Sequence, residues 1–201
     1  ATNGFGQNFN CTMVQMAAAF ASVINGGSYY EPHVVKQVIN ENGAVTSKND
    51  GVLVRETVSD ATSRFMREAL RRTVAEGTGK AAQVEGYDVG GKTGTAEKVG
   101  RNKEDYVVSF CGFAPTDHPQ VLVYVVIDEP NVEKQASSSY ASRVFSQVMG
   151  DILPYLNVFP ETEDEEDTLT QEEMLENEGV HENEGDPEAE TQEQGPVYET
   201  D

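Results

Sequence analysis

The chain has 201 residues and a formal net charge of -21, and this charge is concentrated at one end. Residues 161–201 contain 18 acidic side chains and no Lys or Arg, which leaves 17 acidic against 14 basic side chains in residues 1–160. The excess of acid excludes non-specific nucleic-acid binding, which needs clustered Lys and Arg. We therefore expect one globular domain over residues 1–160. A disordered acidic tail should follow over 161–201, because it has too few apolar residues to fold.

No stretch of the sequence approaches the roughly 18 consecutive apolar residues of a membrane-spanning helix. The chain starts at Ala1 without a recognisable secretion signal, so we expect a longer protein whose preceding segment carries any anchor. Cys11 and Cys111 are far apart in the sequence, and the three histidines are scattered. These spacings predict neither a disulfide framework nor a metal site, and we expect no cofactor.

The first half of the chain alternates helix and strand signals. Apolar residues at helical spacing and flanking cap residues indicate two helices, and β-favouring runs indicate two strands around a polar loop that contains Asn42-Gly43. The predicted elements are a helix from Thr12 to Ile24 closed by Asn25-Gly26-Gly27, strands over residues 33–39 and 51–58, and a helix after Ser59 that ends at Glu76-Gly77-Thr78-Gly79.

The second half predicts a sheet and a closing helix. Strand candidates cover residues 90–98, 106–113 and 121–128, and a final helix covers 138–153 and stops at Pro154. The short charged loop between the first two strands predicts a hairpin. The third strand is apolar from Val121 to Ile127, which is typical of a central strand covered on both faces. Together these elements predict an α+β fold, an antiparallel sheet with helices packed on it.

The segment Lys92-Thr93-Gly94-Thr95 is the strongest candidate in the sequence for a binding or catalytic site. Lys92 offers a positive charge to a carboxylate, and Thr93 and Thr95 project on one face of a strand with a hydroxyl donor each. Gly94 lacks a Cβ, so a peptide could approach closely and add to the strand edge. The same residues are also compatible with an ordinary strand and a solvent-facing Lys.

This segment resembles the Lys-Thr-Gly motif of the transpeptidase domain of class B penicillin-binding proteins. The similarity covers residues 1–160 in the family's order, and its ending is similar to that of Gram-positive division and sporulation enzymes. It implies a partial penicillin-binding, serine β-lactamase-like transpeptidase fold. The stretches that carry it are Phe5-Gly6-Gln7, Thr12-Met13-Val14-Gln15-Met16-Ala17, Asn25-Gly26-Gly27, Pro32-His33-Val34-Val35, Gly77-Thr78-Gly79, Gly91-Lys92-Thr93-Gly94-Thr95-Ala96, Ser109-Phe110-Cys111-Gly112-Phe113-Ala114-Pro115 and Leu153-Pro154-Tyr155-Leu156.

The resemblance implies a peptidoglycan D,D-transpeptidase that cross-links stem peptides through a serine acyl-enzyme and is trapped by β-lactam antibiotics. In this picture Lys92 and Thr95 are the catalytic residues, and Lys92, Thr93, Gly94 and Thr95 bind the substrate. The two threonine hydroxyls would bind the terminal carboxylate, and the Thr95 N–H would form half of the oxyanion hole. The implied location is the extracytoplasmic face of the membrane, with division or sporulation membrane proteins as partners.

The family's nucleophile motif, Ser-x-x-Lys, is absent from this sequence, because no serine has Lys at the third following position. The second motif, Ser-x-Asn, matches once, at Ser47-Lys48-Asn49, which lies in the predicted polar loop and out of the family's order. We interpret this match as a solvated turn, since Ser and Asn favour turns. Both genuine motifs are therefore expected upstream of Ala1, and the chain alone should be inactive.

Two other classes of function stay open at the level of sequence. A serine β-lactamase or a β-lactam-sensing receptor shares the Lys-Thr-Gly strand, and rapid hydrolysis of a β-lactam by the whole protein would identify the former. A non-catalytic scaffold of the division machinery could use the same fold to bind partners. A Ser-x-x-Lys motif in the preceding residues would exclude that scaffold.

Overall fold

The computed structural model describes residues 9–98 and 105–160. The predictions for Phe5-Gly6-Gln7, for most of the hairpin loop and for the tail at 161–201 lie outside these residues. The chain forms helices and antiparallel strands, as predicted. The elements are α1 (Met13–Ile24), β1 (Ser28–Tyr30), β2 (Gln37–Ile39), β3 (Val45–Lys48), β4 (Leu53–Glu56), α2 (Asp60–Ala75), a 3₁₀ turn (Lys80–Ala82), β5 (Gly90–Glu97), β6 (Tyr106–Ala114), β7 (Val121–Asp128) and α3 (Ser139–Tyr155).

Side-chain caps determine where the first two helices begin. At the start of α1 the Thr12 hydroxyl accepts from the Gln15 backbone N–H at 3.1 Å, and the Gln15 side chain accepts from the Thr12 N–H at 2.9 Å. This capping box satisfies two backbone donors that the helix itself leaves free. At the start of α2, Ser59 accepts from the Thr62 N–H at 3.2 Å, as the sequence predicted. Such caps typically contribute about 1 kcal/mol each.

Along the chain, the strands of two small sheets follow α1 and precede α2. The strand predictions for this part of the chain need correction. β1 pairs antiparallel with β4, and β2 with β3. The strand predicted over 33–39 begins only at Gln37, and Val34 is fully exposed. The strand predicted over 51–58 is shortened to β4, while β3 occupies part of the predicted polar loop. These strands are three or four residues long and mostly exposed, so the hydrophobic alternation that marks a strand is weak in them.

The main sheet contains β5, β6 and β7 in that order, and both pairs are antiparallel. The hairpin predicted between β5 and β6 is confirmed by their continuous register from Gly90↔Phe113 to Glu97↔Tyr106. The central position predicted for residues 121–127 is wrong within the described residues, because β6 is the middle strand and β7 lies at an edge. Helices contact β7 from both faces, and this explains why its sequence is apolar throughout.

The core lies on both faces of this sheet. On one face α3 packs over β6 and β7, where the fully buried rings of Phe110 and Phe145 meet with centroids 4.7 Å apart. On the other face Phe113 packs against Ile24 of α1 and Leu70 of α2. Burying one such aromatic side chain contributes roughly 1.5–3 kcal/mol. The alternating side chains of β6 therefore join the sheet to helices on both sides.

Both ends of α3 have features that the sequence did not predict. α3 continues through Pro154 to Tyr155. Pro154 has no N–H to donate, but the Leu156 N–H donates to the Ile152 carbonyl at 2.9 Å and so extends the last turn past the proline. The helix begins after Ser138 without a side-chain cap hydrogen bond. Instead the Ser137 and Ser139 hydroxyls lie 2.7 Å apart and bond to each other. Among the residues described, none of the helices combines the length and the apolar composition that crossing a bilayer requires.

Candidate active-site strand

The motif Lys92-Thr93-Gly94-Thr95 lies in the middle of β5, which is one of the two edge strands of the main sheet in the described part of the chain. Only one side of β5 pairs with a strand, β6, within residues 9–98 and 105–160. Along an edge strand every second backbone N–H and C=O points away from the ladder. The motif therefore presents both side chains and backbone groups to an incoming molecule.

The register with β6 sorts the motif onto two faces. Thr93 and Thr95 stand opposite Phe110 and Val108, and residues directly opposite in an antiparallel pair share a face. Lys92 and Gly94 take the other face. The structure thus brings the two threonines together on one side of the strand. Thr93 is half-buried and Thr95 is exposed, so the latter hydroxyl is open to solvent.

The Lys92 side chain is exposed, and its ammonium donates to the backbone carbonyl of Thr93 at 2.7 Å. That contact indicates that the Thr93 carbonyl lies on the accessible side of β5. The ion pairs in the described part of the chain involve other cations, so no carboxylate there lies within 4.0 Å of the Lys92 ammonium. Its charge is therefore available to an external anion such as a substrate carboxylate.

Gly94 leaves room for its neighbour across the strand pair. A Cβ at this position would lie 2.4 Å from the Ser109 Oγ, much closer than atoms of this kind approach. The Ser109 hydroxyl therefore occupies the space beside Gly94 that a side chain would fill. This close approach is a local packing reason for the glycine of the motif, and it adds a hydroxyl to the Lys92 face.

A second hydroxyl reaches the motif from the loop after α2. The Oγ1 atoms of Thr78 and Thr93 lie 3.2 Å apart, and either hydroxyl can donate to the other. This contact places the stretch Gly77-Thr78-Gly79, which follows α2, beside the motif strand. Neither Thr78 nor Ser109 could be assigned to the site from sequence, because both contacts depend on the tertiary arrangement.

An ion-pair cluster holds the far end of β5. The Lys98 ammonium lies 2.5 Å from a Glu129 carboxylate oxygen and 2.9 Å from one of Asp128, which ends β7. The hydrogen bonds to Glu129 and Asp128 raise the pKa of Lys98. The Lys98 backbone N–H also donates to the Asp105 carbonyl at 2.8 Å. These contacts tie the outer strands together across β6 and support the register that orients the motif.

The thiol and the phenol on the Lys92 face stay neutral. Cys111 stands directly opposite Lys92, and burial raises the pKa of its thiol to about 12. Burial also raises the pKa of Tyr124, which stands opposite Cys111 in the next strand, although a hydrogen bond with Ser109 acts in the other direction. Neither group is an anionic nucleophile near neutral pH. The described part of the site therefore offers binding groups for an anion and a peptide rather than an activated nucleophile.

The isolated Ser-x-Asn match lies apart from this strand. Lys48 ends β3, which belongs to a different two-stranded sheet, and its ammonium pairs with Asp50 at 2.5 Å. The Asn49 side-chain oxygen accepts from the Gly51 N–H at 3.0 Å. The turn predicted for this match is therefore wrong for Ser47 and Lys48, which belong to the exposed strand β3, and only Asn49 lies in the link that follows the strand.

A cavity elsewhere is a poorer candidate site. It has a volume of about 430 Å³ and lies by the end of α2, and its lining includes none of the four motif residues. Glu85 and Asp88 contribute two carboxylates to its wall. Like charges would repel a carboxylate-bearing ligand there, whereas Lys92 on β5 would attract one.

Comparison with known proteins identifies the family to which the chain is similar. The family described as penicillin binding protein transpeptidase domain matches residues 1–150. Stage V sporulation protein D of Bacillus subtilis is 41% identical over 170 residues, which are 83% of this chain and 26% of that protein. The probable peptidoglycan D,D-transpeptidase PenA of Neisseria flavescens is 34% identical, over 80% of this chain and 38% of that protein. The chain thus spans well under half of the length of these curated relatives.

Solved structures show the same likeness. The transpeptidase domain of penicillin-binding protein 3 from Burkholderia pseudomallei aligns with a TM-score of 0.61 and 32% identity, over 74% of this chain and 43% of that one. The D,D-transpeptidase domain of a peptidoglycan glycosyltransferase from Eggerthella lenta aligns with a TM-score of 0.57 and 30% identity, over 69% of this chain and 32% of that one. The predicted α+β transpeptidase fold is therefore confirmed, and the chain belongs to the penicillin-binding protein transpeptidase domain family.

Proposed function

We propose that the full-length gene product is a peptidoglycan D,D-transpeptidase and that this chain supplies the strand that binds its substrate. The observation that carries the proposal is the position of Lys92-Thr93-Gly94-Thr95 on a strand edge that no other described strand covers. Lys92, whose ammonium has no carboxylate partner among the described residues, lies on one face of this strand, and the two threonine hydroxyls lie on the other. A stem peptide that ends in D-Ala-D-Ala is an extended chain with a terminal carboxylate. An edge strand binds such a chain by adding it as another strand.

Each motif residue has a role in this reaction. Lys92 attracts the terminal carboxylate, and the Thr93 and Thr95 hydroxyls donate to it. A serine, expected in the segment that precedes this chain, adds its oxygen to the penultimate D-Ala carbonyl, and the amide C–N bond then breaks to release D-Ala. The Thr95 N–H stabilises the oxyanion that forms in between, a contribution of roughly 3 kcal/mol for one such donor. An amine of a neighbouring stem peptide then displaces the serine.

The proposed function also implies how β-lactams would inhibit the enzyme and where in the cell the domain would act. A β-lactam carries a carboxylate next to a strained amide, so it would occupy the position of D-Ala-D-Ala and leave the serine acylated. The substrates lie in the cell wall, and we place the domain on the extracytoplasmic face of the membrane. Anchoring would come from a segment outside this chain, and membrane proteins of division or sporulation would be its partners.

Acylation of the full-length gene product by a fluorescent penicillin tests the proposal. The covalent adduct is followed on a denaturing gel as a function of time. Substituting Lys92→Ala should slow adduct formation about 10- to 100-fold, since hydrogen bonds to charged groups contribute roughly 1.5–3 kcal/mol. Lys48→Ala, which removes an exposed Lys from a different sheet, is the matched control and should react at the normal rate.

Three results would overturn the proposal. The first is that the unsubstituted full-length protein forms no adduct, and the second is that Lys92→Ala reacts as fast as Lys48→Ala. The third is that the adduct is released within seconds and the protein turns over a chromogenic cephalosporin, which would identify a β-lactamase. The 201-residue chain alone should form no adduct because it lacks Ser-x-x-Lys. An adduct with it would contradict the expectation that the nucleophile precedes Ala1.

A further inference from the structure

The loop that contains Thr78 is held to the end of α2 by its own backbone. The Gly77 N–H donates to the Arg72 carbonyl at 3.1 Å, and the Gly79 N–H donates to the Thr73 carbonyl at 2.9 Å. A Cβ on either glycine would lie about 3 Å from the Thr73 oxygen, so the loop packs closely against the helix. These bonds fix the backbone on both sides of Thr78 and direct its hydroxyl at β5.

We propose that Thr78 is a positioning residue that orients the hydroxyl of Thr93 toward the substrate carboxylate. The inference rests on the proposed function, in which the Thr93 hydroxyl donates to that carboxylate. The two Oγ1 atoms lie 3.2 Å apart, within hydrogen-bond distance. Thr78 acts on the ligand through Thr93 and is not itself a catalytic residue.

The number of protons on each hydroxyl determines which threonine donates to the other. We call this chain of hydrogen bonds, from Thr78 to Thr93 to the carboxylate, the relay. A threonine hydroxyl has one proton to donate and two lone pairs to accept with, whereas an ionised carboxylate only accepts. When Thr93 gives its single proton to the carboxylate, the bond between the two threonines can form only if Thr78 donates to Thr93. Hydrogen bonds in such a chain polarise one another, so the donation from Thr78 strengthens the donation from Thr93.

The relay also keeps the Thr93 hydroxyl from pointing elsewhere before the ligand arrives. Thr93 is half-buried beside the α2 loop, and its own backbone carbonyl is already bonded to the Lys92 ammonium. Without Thr78 the hydroxyl could turn away from the ligand position and would lose one partner. A purely structural tether between loop and strand would instead affect every substrate equally, whether or not it carried a carboxylate.

The test compares two ligands on the full-length gene product. Benzylpenicillin carries the carboxylate, and its methyl ester does not. The rate of acylation by each is measured by competition with a fluorescent penicillin. Thr78→Val, which keeps the shape and removes the hydroxyl, should slow the reaction with benzylpenicillin about 5- to 10-fold and leave the ester rate unchanged, as expected for one lost hydrogen bond of about 1 kcal/mol. Thr78→Ser keeps the hydroxyl and should stay within about twofold of the unsubstituted protein.

The ratio of the two rates within one variant does not depend on the folded fraction, so partial unfolding cannot imitate the effect. Thr46→Val is the control, because the Thr46 hydroxyl donates to the Val38 carbonyl in the separate β2–β3 sheet. It should leave the ratio unchanged. An unchanged ratio in Thr78→Val, or a reduced ratio in Thr78→Ser, would overturn the inference while the proposed function stood. No acylation of the unsubstituted protein by either compound would overturn the proposed function itself, and this inference with it.

Discussion

Replacing Gly94 by Ala tests the packing of the active-site strand directly. The new Cβ would lie 2.4 Å from the Ser109 Oγ, about 1 Å inside the 3.4 Å at which ordinary contacts begin. Overpacking of this size costs about 1–3 kcal/mol. Gly94 does not have a positive φ, so Ala can adopt its backbone conformation and stabilises by about 0.4–1 kcal/mol through the unfolded chain. We therefore expect Gly94→Ala to reduce the free energy of unfolding by about 1 kcal/mol.

A second substitution isolates the cause. Ser109→Ala removes the Oγ, and the nearest remaining atom is the Cβ of residue 109, at an ordinary 3.7 Å. In that background Gly94→Ala should be neutral or stabilising by up to about 1 kcal/mol. The two substitutions should therefore show a coupling energy of about 1–3 kcal/mol, in the range measured for residues in contact.

Urea unfolding followed by circular dichroism of the four chains gives this coupling energy. Gly150→Ala in α3 is the control, since a Cβ there meets only Val84 Cγ1 at 3.9 Å and Ala favours a helix. It should be stabilising with or without Ser109→Ala. A coupling energy of zero between positions 94 and 109 would refute the reasoning, because it would mean that the Ser109 hydroxyl turns aside without cost.

Two further predictions concern the core and the surface. Phe145→Ala should lower the free energy of unfolding by about 3–5 kcal/mol and Phe145→Leu by less, measured by urea unfolding, because the ring is fully buried against Phe110. A loss below about 1 kcal/mol would contradict this packing. The Arg71 and Arg72 guanidiniums lower the pKa of Glu68 from 4.5 to about 2, Arg71 having the larger effect. Because the pKa is lowered in the folded state, the stabilisation is present above pH 4.5 and is lost as the pH falls toward 2. The difference in thermal midpoint between Glu68→Gln and the unsubstituted chain should follow that course, and a constant difference would argue against it.

The elements that could be predicted from sequence are those with a strong local signal. α1 follows from the cap at Thr12 and the helical spacing after it, and the hairpin of β5 and β6 follows from two runs around a short charged loop. β1 and β3 were missed because strands of three or four exposed residues have little hydrophobic pattern. Among the described strands β7 lies at an edge, and its predicted central position was wrong because coverage by helices on both faces produces the same apolar run as a place in the middle of a sheet.

In the candidate site, too, some residues could be predicted from local sequence and others only from the tertiary structure. Lys92, Thr93 and Thr95 could be singled out because a charge and two hydroxyls at a spacing of two already describe one strand segment. The contribution of Ser109 could not, because it depends on the register that puts it opposite Gly94. Thr78 lies 15 residues before Thr93, and only the packing of the α2 loop against β5 brings their hydroxyls together.

The ladder between β5 and β6 also determines which insertions and deletions the gene can tolerate. The contact between Lys98 and Asp105 closes the ladder before the connecting loop begins, so the length of that loop can change while the pairing is kept. A single-residue deletion inside β5 would instead move each later side chain to the opposite face of the sheet. Natural length variation should therefore collect in the loop and stop at the strand, and a library of one-codon deletions would map that boundary.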